Sequence, residues 1–143
     1  MGRRRQAREN ALHALYLVDT ASTPPDMAFA WVHDRREADP ATLEFTRALF
    51  DGTLAHRAEI DARLEKTATN WALSRMAAVD RNILRLAAYE LMHQPDTPIR
   101  VIIDEALEIA RKFSTEESTA FINGILDQLK DRAGAENVEK RPL

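Results

Sequence analysis

The sequence lacks cysteine altogether, and it contains only four glycines and six prolines among its 143 residues. The absence of cysteine excludes disulfides, thiolate metal sites and a cysteine nucleophile, and nothing indicates an oxidising compartment. No apolar run approaches the ~20 residues that span a bilayer, and the start lacks the pattern of a secretory signal. We therefore expect a cytoplasmic protein with no membrane partner.

Charge is unevenly distributed along the chain, whose formal net charge is −3. Residues 3–8, here called the basic arm, contain Arg3, Arg4, Arg5 and Arg8 and no acidic side chain. A basic arm on an acidic body indicates an anionic partner such as RNA or DNA. The alternative is a charged terminus that only keeps the protein in solution, and the arm taken alone favours this alternative.

Helix-forming residues dominate the sequence, and no run of alternating β-branched residues predicts a strand. Apolar residues at helical spacing predict an all-α fold of about seven helices in two small bundles. We expect one domain over residues 1–134, with an N-terminal bundle at about 3–66 and a C-terminal bundle at about 71–132. The polar residues 135–143 are predicted to form a flexible tail.

Two capping signals mark where helices begin. Asp39 before Pro40 is a favourable N-cap with proline at the first helical position. Ser114 and Glu117 have the spacing of a capping box. The predicted helices cover residues 3–20, 27–36, 40–64, 76–92, 98–113 and 115–132, with one short turn at 71–75.

Signatures of catalysis and of metal binding are weak. The chain has no glycine-rich phosphate loop and no Gly-x-Ser-x-Gly motif. Glu90 and His93 form one Glu-x-x-His motif, whereas di-iron bundles need two such motifs and further glutamates. The spacings of the four histidines do not suggest a shared zinc site. We therefore expect no enzymatic activity, no metal and no cofactor.

Two residues have no simple explanation in packing. Gly124 interrupts a helix-forming segment at a cost of ~1 kcal/mol relative to alanine. It predicts the close approach of another helix or of a ligand, and helix packing is the favoured explanation. Tyr16 shares a helical stripe with Arg8 and Leu12, so its ring could stack on an unpaired base or cap the core.

Three segments together resemble a known family. RRRQARENALHALY, WALSRMAAVDRNILRLAAYEL and PIRVIIDEALEIARKFSTEESTAFINGILD are similar to the NusB transcription antitermination factors, most closely between Trp71 and Asp127. The resemblance implies two three-helix bundles with a small extra helix and no enzymatic activity. It also implies binding to the boxA RNA of ribosomal RNA leader transcripts, together with the small-subunit ribosomal protein NusE. Both would act in the RNA polymerase antitermination complex.

The resemblance also implies which residues form the sites. Asp80 matches an acidic position that faces the ribosomal protein. Phe121 lies at the edge of a buried stripe, where its ring could complete the core or stay exposed. The resemblance implies the exposed ring, with a base stacked on it. The residues that match RNA-binding positions are Arg3, Arg4, Arg5, Arg8, Tyr16, Glu117, Ser118, Phe121 and Asn123.

Two other functions remain open on the sequence alone. One is the RNA-binding domain of a ribosomal RNA cytosine methyltransferase, a family that carries a NusB-like N-terminal domain. We expect the short segment after Asp127 to leave no room for the methyl-donor-binding domain. The other is a protein-interaction adaptor that binds no RNA. The sequence does not distinguish a monomer from a homodimer, and it does not specify the exact RNA sequence.

Overall fold

Every regular element is a helix in the computed structural model, which describes the backbone of residues 2–140 and the side chains of residues 2–131. The predicted all-α class is confirmed. The described residues form seven α-helices, and a 3-10 turn, Leu73–Arg75, precedes the fifth. The helices are α1 (Arg3–Ala21), α2 (Pro25–Arg35), α3 (Pro40–Ala55), α4 (Arg57–Thr67), α5 (Ala78–His93), α6 (Ile99–Phe113) and α7 (Glu116–Lys140).

The start of α3 follows the local sequence, whereas its end does not. The Asp39 carboxylate accepts a hydrogen bond from the Thr42 N–H at 2.8 Å, and Pro40 takes the first helical position, as predicted. The predicted single helix over residues 40–64 is wrong, because α3 ends at Ala55 and α4 begins at Arg57. His56 between them has φ −106° and ψ 15°. This break lets both α3 and α4 pack against α5.

The cap of α7 lies one residue later than predicted. The Ser118 N–H donates to Thr115 Oγ1 at 3.0 Å, so Thr115 caps the helix. Ser114 is instead the C-cap residue of α6, and its N–H donates to the Ala110 carbonyl. The Ser114 side chain therefore remains available for another partner.

The last helix continues past the predicted end of the domain. The backbone of residues 135–140 belongs to α7, where the sequence predicted a flexible tail, and residues 141–143 lie outside the described residues. The division into two bundles stays a prediction. None of the described helices is long and apolar enough to cross a membrane.

The fifth helix occupies the centre of the molecule. It packs against α1, α3, α4, α6 and α7, and its residues 82–91 are all buried. One apolar cluster includes Phe50 of α3, Leu84 of α5 and Leu126 of α7, each with 0% exposure. Burial of each such side chain contributes about 1.5–3 kcal/mol to folding. The core therefore holds the N-terminal and C-terminal helices together.

A partly buried polar group ties the end of α1 to the start of α5. The Asp19 carboxylate accepts hydrogen bonds from Arg81 at 2.5 Å, Asn82 at 2.8 Å and Arg85 at 3.2 Å. Burial by itself would raise the pKa of Asp19. The hydrogen bonds from Arg81 and Asn82 and the charge of Arg85 outweigh burial and hold this pKa below its ordinary value.

Close helix packing depends on a different glycine from the one that the sequence singled out. Gly124 is exposed, and a Cβ at this position would meet nothing within 4 Å. The predicted close approach of another helix at Gly124 is therefore wrong. At Gly52 in α3, by contrast, a Cβ would overlap the ring of Tyr89 in α5. Gly52 is the residue that allows these two helices to approach each other.

Candidate nucleic-acid interface

The first turn of α1 presents arginines at the surface. Arg3 is exposed and forms an ion pair with Asp39 at 3.2 Å. The Arg4 guanidinium is also exposed and lies over the Phe45 ring, 4.4 Å from its centroid. These contacts hold both side chains near the N-terminus of α1 without removing them from solvent.

Arg5 makes the strongest surface contact of the three. Its Nε and Nη2 atoms donate to the Glu105 carboxylate of α6 at 2.7 and 3.2 Å. The hydrogen bond and the charge of Glu105 raise the pKa of Arg5. The predicted arm is therefore folded against α3 and α6, and an anionic ligand would have to exchange with its acidic partners.

Arg8 lies in the interior rather than on the surface. Its side chain is 3% exposed, and its guanidinium donates to both oxygens of Glu90 in α5, at 2.9 and 2.8 Å. This corrects the expectation that Arg8 faces RNA. Arg8 lies about one helical turn deeper than Arg4 and Arg5, where α5 covers α1.

Residues from three parts of the chain line an open groove of about 290 Å³. We call this feature the Trp71 groove. It brings together three of the predicted RNA-binding residues, Glu117, Ser118 and Phe121, and the predicted partner-binding residue, Asp80. Asp80 and Glu117 are 37 positions apart in the sequence. Its lining residues are Trp71, Arg75, Met76, Ala77, Asp80, Glu117, Ser118 and Phe121.

Two aromatic rings form the apolar part of the Trp71 groove. Phe121 is half-buried against the core, and its ring meets that of Trp71 edge-on, with centroids 5.9 Å apart and an interplanar angle of 73°. Trp71 is 55% exposed. The Phe121 ring is thus packed partly into the core and remains partly exposed, and base stacking on it stays a prediction. Trp71 is not among the residues that the sequence predicted, although a tryptophan between two helices, outside any apolar stripe, is a usable signal.

Asp80 is a buried part of the groove wall. Its carboxylate is 6% exposed and accepts a hydrogen bond from Ser114 Oγ at 2.5 Å. The hydrogen bond joins the first turn of α5 to the junction between α6 and α7. The sequence predicts that Asp80 faces the ribosomal protein, and this stays a prediction; in the structure its carboxylate is engaged inside the fold.

The structure does not bring the remaining two residues into the Trp71 groove. Tyr16 is 39% exposed on α1 and does not line it. Asn123 lines a separate groove between α6 and α7, together with Ile103 and Asp127. Asn123 and Phe121 are two residues apart on a helix, so their side chains point in directions about 200° apart.

These features define a class of protein. The fold is entirely helical over the described residues, and the surface features are an arginine-rich helix start and an aromatic groove, as in a small α-helical binding protein. Comparison with known proteins gives the family. The NusB family model matches residues 5–131. The chain therefore belongs to the NusB family, which confirms the resemblance found in the sequence.

Individual relatives agree over nearly the whole chain. The transcription antitermination protein NusB of Elusimicrobium minutum (strain Pei191) is 48% identical over 140 residues, which cover 96% of this chain and 100% of that protein. The solved structure of T. maritima NusB is 36% identical, with a TM-score of 0.86, and covers 95% of this chain and 96% of its own.

A third comparison concerns a complex. A chain from the crystal structure of antitermination factors NusB and NusE in complex with dsRNA is 26% identical to this chain, with a TM-score of 0.85. The match covers 91% of this chain and 97% of that chain. The helical arrangement described above is therefore shared with a protein that was crystallised with RNA and a protein partner.

Proposed function

We propose that this protein is a non-catalytic, RNA-binding transcription antitermination factor of the cytoplasm. It binds boxA RNA of ribosomal RNA leader transcripts together with the ribosomal protein NusE, and the pair supports read-through by RNA polymerase. The relatives bear the antitermination name rather than that of a methyltransferase. The observation that carries the proposal is the arginine-rich first turn of α1, which stays accessible to an anionic ligand.

The N-terminus of α1 suits phosphate binding for two reasons. Arg3, Arg4 and Arg5 place three positive charges at one helix end. In addition, the N-cap residue Gly2 offers no side-chain cap, so the first N–H groups of the helix are open to an anion. The helix dipole favours negative charge at this end. A phosphate could therefore replace Asp39 or Glu105 as the partner of an arginine.

The Trp71 groove supplies groups that could recognise unpaired bases. Single-stranded RNA is bound by stacking on aromatic rings and by hydrogen bonds to base edges. Trp71 offers an exposed ring beside Phe121, and Glu117 and Ser118 offer an acceptor and a hydroxyl nearby. We infer that the arm holds the RNA backbone while the Trp71 groove contacts a base.

The proposed protein partner is attracted by the charge of the whole body. The net charge of −3 includes the arginines of the arm, so the remaining surface is more acidic and suits a basic ribosomal protein. Asp80 is engaged with Ser114. We therefore propose that Asp80 supports partner binding indirectly, by holding the start of α5 against the start of α7.

A salt titration tests the proposal. Affinity for labelled boxA RNA is measured at several salt concentrations for the unmodified chain and for a variant with Arg3, Arg4 and Arg5 replaced by alanine. Each phosphate contact to a single strand contributes about −0.7 to the slope of log affinity against log salt, so we expect the slope to become shallower by about 2. The matched control is Arg111→Ala, which removes an exposed arginine of α6 that pairs with Glu108.

The outcomes are easily separated. A shallower slope with reduced affinity in the triple variant, and an unchanged slope in the control, supports RNA binding through α1. Equal affinity and equal slope in all three proteins would mean that the arm only keeps the protein in solution. No measurable binding of boxA RNA by the unmodified chain would favour the adaptor that binds no RNA. Thermal melting of each protein shows whether the fold is intact, and we expect little change because these side chains lie outside the core.

A further inference from the structure

Three side chains meet where the junction of α3 and α4 lies beside the end of α5. His56 lies between α3 and α4, Glu59 in the first turn of α4, and His93 at the end of α5. One potential ligand atom from each lies within 4.8 Å of the other two. His56 Nδ1 is 3.5 Å from Glu59 Oε2, and His93 Nε2 is 3.3 Å from Glu59 Oε1.

An unsatisfied nitrogen at this cluster points to a ligand. His93 Nε2 is buried and forms no hydrogen bond, although Glu59 Oε1 is 3.3 Å away. A buried polar atom without a partner costs free energy. A cation bound between this nitrogen and the carboxylate would satisfy both atoms. Two ligands about 2.0–2.1 Å from a tetrahedral metal lie about 3.3 Å apart, which matches the distance from His93 Nε2 to Glu59 Oε1. His56 Nδ1 lies 3.5 Å from the other oxygen of the same carboxylate, Oε2.

The donor set indicates the kind of metal. Two imidazoles and one carboxylate suit Zn²⁺, whereas Ca²⁺ and Mg²⁺ prefer ligand sets made only of oxygen. Glu59 is 52% exposed, so a fourth position would open to solvent and accept a water molecule. We propose that His56, Glu59 and His93 form a Zn²⁺ site that fastens the junction of α3 and α4 to the end of α5.

Both imidazole rings pack against an aromatic neighbour. Tyr89 stacks on His93 and on His56, with centroid distances of 5.5 and 6.0 Å. Gly52 leaves the space that the Tyr89 ring occupies, and Gln94 Nε2 donates to Tyr89 Oη at 3.1 Å. The His56 and His93 rings also stack on each other, with centroids 3.9 Å apart and an interplanar angle of 24°. Because an imidazole binds a metal in the plane of its ring, the more exposed His56 ring has to turn before both nitrogens point at one ion.

Zinc binding to the full chain, prepared without a histidine tag, is measured by titration calorimetry. We expect one equivalent of Zn²⁺ to bind and to raise the melting temperature, since an ion that binds only the folded state stabilises it. Bound Co²⁺ should show the visible absorption of a tetrahedral site. His93→Gln and Glu59→Gln should each weaken Zn²⁺ binding by more than about tenfold. Removal of a group that only supports a metal ligand already weakens binding by about tenfold, and removal of a ligand itself should cost more.

The matched control is His33→Gln, which removes a histidine of α2 that stacks on Phe29 rather than on the cluster. Binding that is kept in this control and lost in both ligand variants supports the site. An absence of saturable binding at micromolar Zn²⁺, or equal binding in the ligand variants, overturns it. Glu59 is solvent-exposed, so Glu59→Gln should fold even if His93→Gln does not, and the measurement uses no RNA.

Discussion

Two arginines one turn apart in α1 have different physical roles. Arg5 pairs with Glu105 at the surface, whereas Arg8 pairs with Glu90 in the interior. A surface pair contributes little to stability, because water and salt screen both charges. A buried pair is different, because removal of one partner leaves an uncompensated charge in a region that water does not reach.

Arg8→Met should therefore lower the free energy of unfolding by about 3–5 kcal/mol, because Glu90 loses its partner inside the core. Urea unfolding at neutral pH measures the change. Arg3→Ala, which removes an exposed arginine of the same helix, is the control and should leave stability nearly unchanged. Unaltered stability of Arg8→Met would show that Arg8 is not buried in solution. The addition of Glu90→Leu to Arg8→Met should recover much of the loss, since a well-packed apolar pair can replace a buried ion pair.

Trp71→Ala should weaken binding of boxA RNA about 5- to 150-fold, because base stacking on an aromatic ring contributes about 1–3 kcal/mol. The melting temperature should change little, since more than half of the Trp71 side chain is exposed. Trp31→Ala is the control, because Trp31 is an exposed tryptophan of α2 that contacts Arg35. Equal loss of affinity in both variants, or in neither, would rule out a specific role for Trp71.

Phe121→Ala should lower both the affinity for boxA RNA and the melting temperature, because its ring also packs on the core.

At the level of secondary-structure elements, both candidate binding surfaces are formed by the ends of helices. The first turn of α1 carries Arg3, Arg4 and Arg5, and the first turns of α5 and α7 form two sides of the Trp71 groove. The hydrogen bond from Ser114 to Asp80 joins the first turn of α5 to the junction between α6 and α7. The position of the groove therefore depends on how α6 ends and α7 begins.

Glu105→Gln should raise the affinity for boxA RNA about 2- to 5-fold, in line with the modest strength of a surface ion pair. The substitution removes the charge that holds Arg5 against α6, so the arginine can turn to phosphate without competition. Glu108→Gln is the control, because it removes a negative charge from the same helix but frees Arg111 instead. A binding titration at constant salt compares the two variants. An equal increase in both would indicate a general charge effect rather than release of Arg5.

Gly124→Ala should raise the free energy of unfolding by ~1 kcal/mol, the difference between the two residues in a helix interior. A methyl group at this position meets no neighbouring atom within 4 Å. Gly52→Ala is the opposite case, since the added Cβ would overlap the Tyr89 ring and should destabilise the protein. Thermal and urea unfolding of both variants make the comparison. A destabilised Gly124→Ala would mean that the glycine has a structural role that its open surroundings do not explain.

Charged contacts link the helices across the whole molecule. Asp19 of α1 pairs with Arg81 and Arg85 of α5, and it lies 3.7 Å from Arg57 of α4. The lowered pKa of Asp19 means that the folded protein holds this carboxylate ionised at a pH where the unfolded chain has begun to bind a proton. Its contribution is therefore complete above the ordinary pKa of 3.8 and is lost as the pH falls through the lowered value.

Asp19→Asn should lower the free energy of unfolding by about 2 kcal/mol or more at neutral pH, since hydrogen bonds to a charged partner are lost. The difference from the unmodified protein should shrink as the pH falls below about 4, because asparagine does not titrate and Asp19 does. Urea unfolding at several pH values measures this difference. Asp26→Asn, which removes an exposed carboxylate that pairs with Arg47, is the control. A difference that stays constant with pH would contradict the lowered pKa.

The sequence by itself determined the all-α class, most helix positions, the Asp39 cap and the family. Each depends on residues close together in the chain, such as the apolar spacing of α5 or the four positions from Asp39 to Thr42. The resemblance to the NusB family likewise depends on the order of residues in continuous segments. Local order was also enough to single out Arg3, Arg4 and Arg5 as charges at a helix start.

Only the tertiary structure decided which side chains are buried and which ones meet. Arg8 and Glu90 are 82 positions apart, and no local pattern distinguishes Arg8 from the exposed arginines before it. The same holds for His56 and His93, whose rings lie 3.9 Å apart although their spacing in the sequence indicated no shared site. A helical pattern specifies the faces of one helix. Which face is covered, and by which distant residue, depends on how the other helices pack against it.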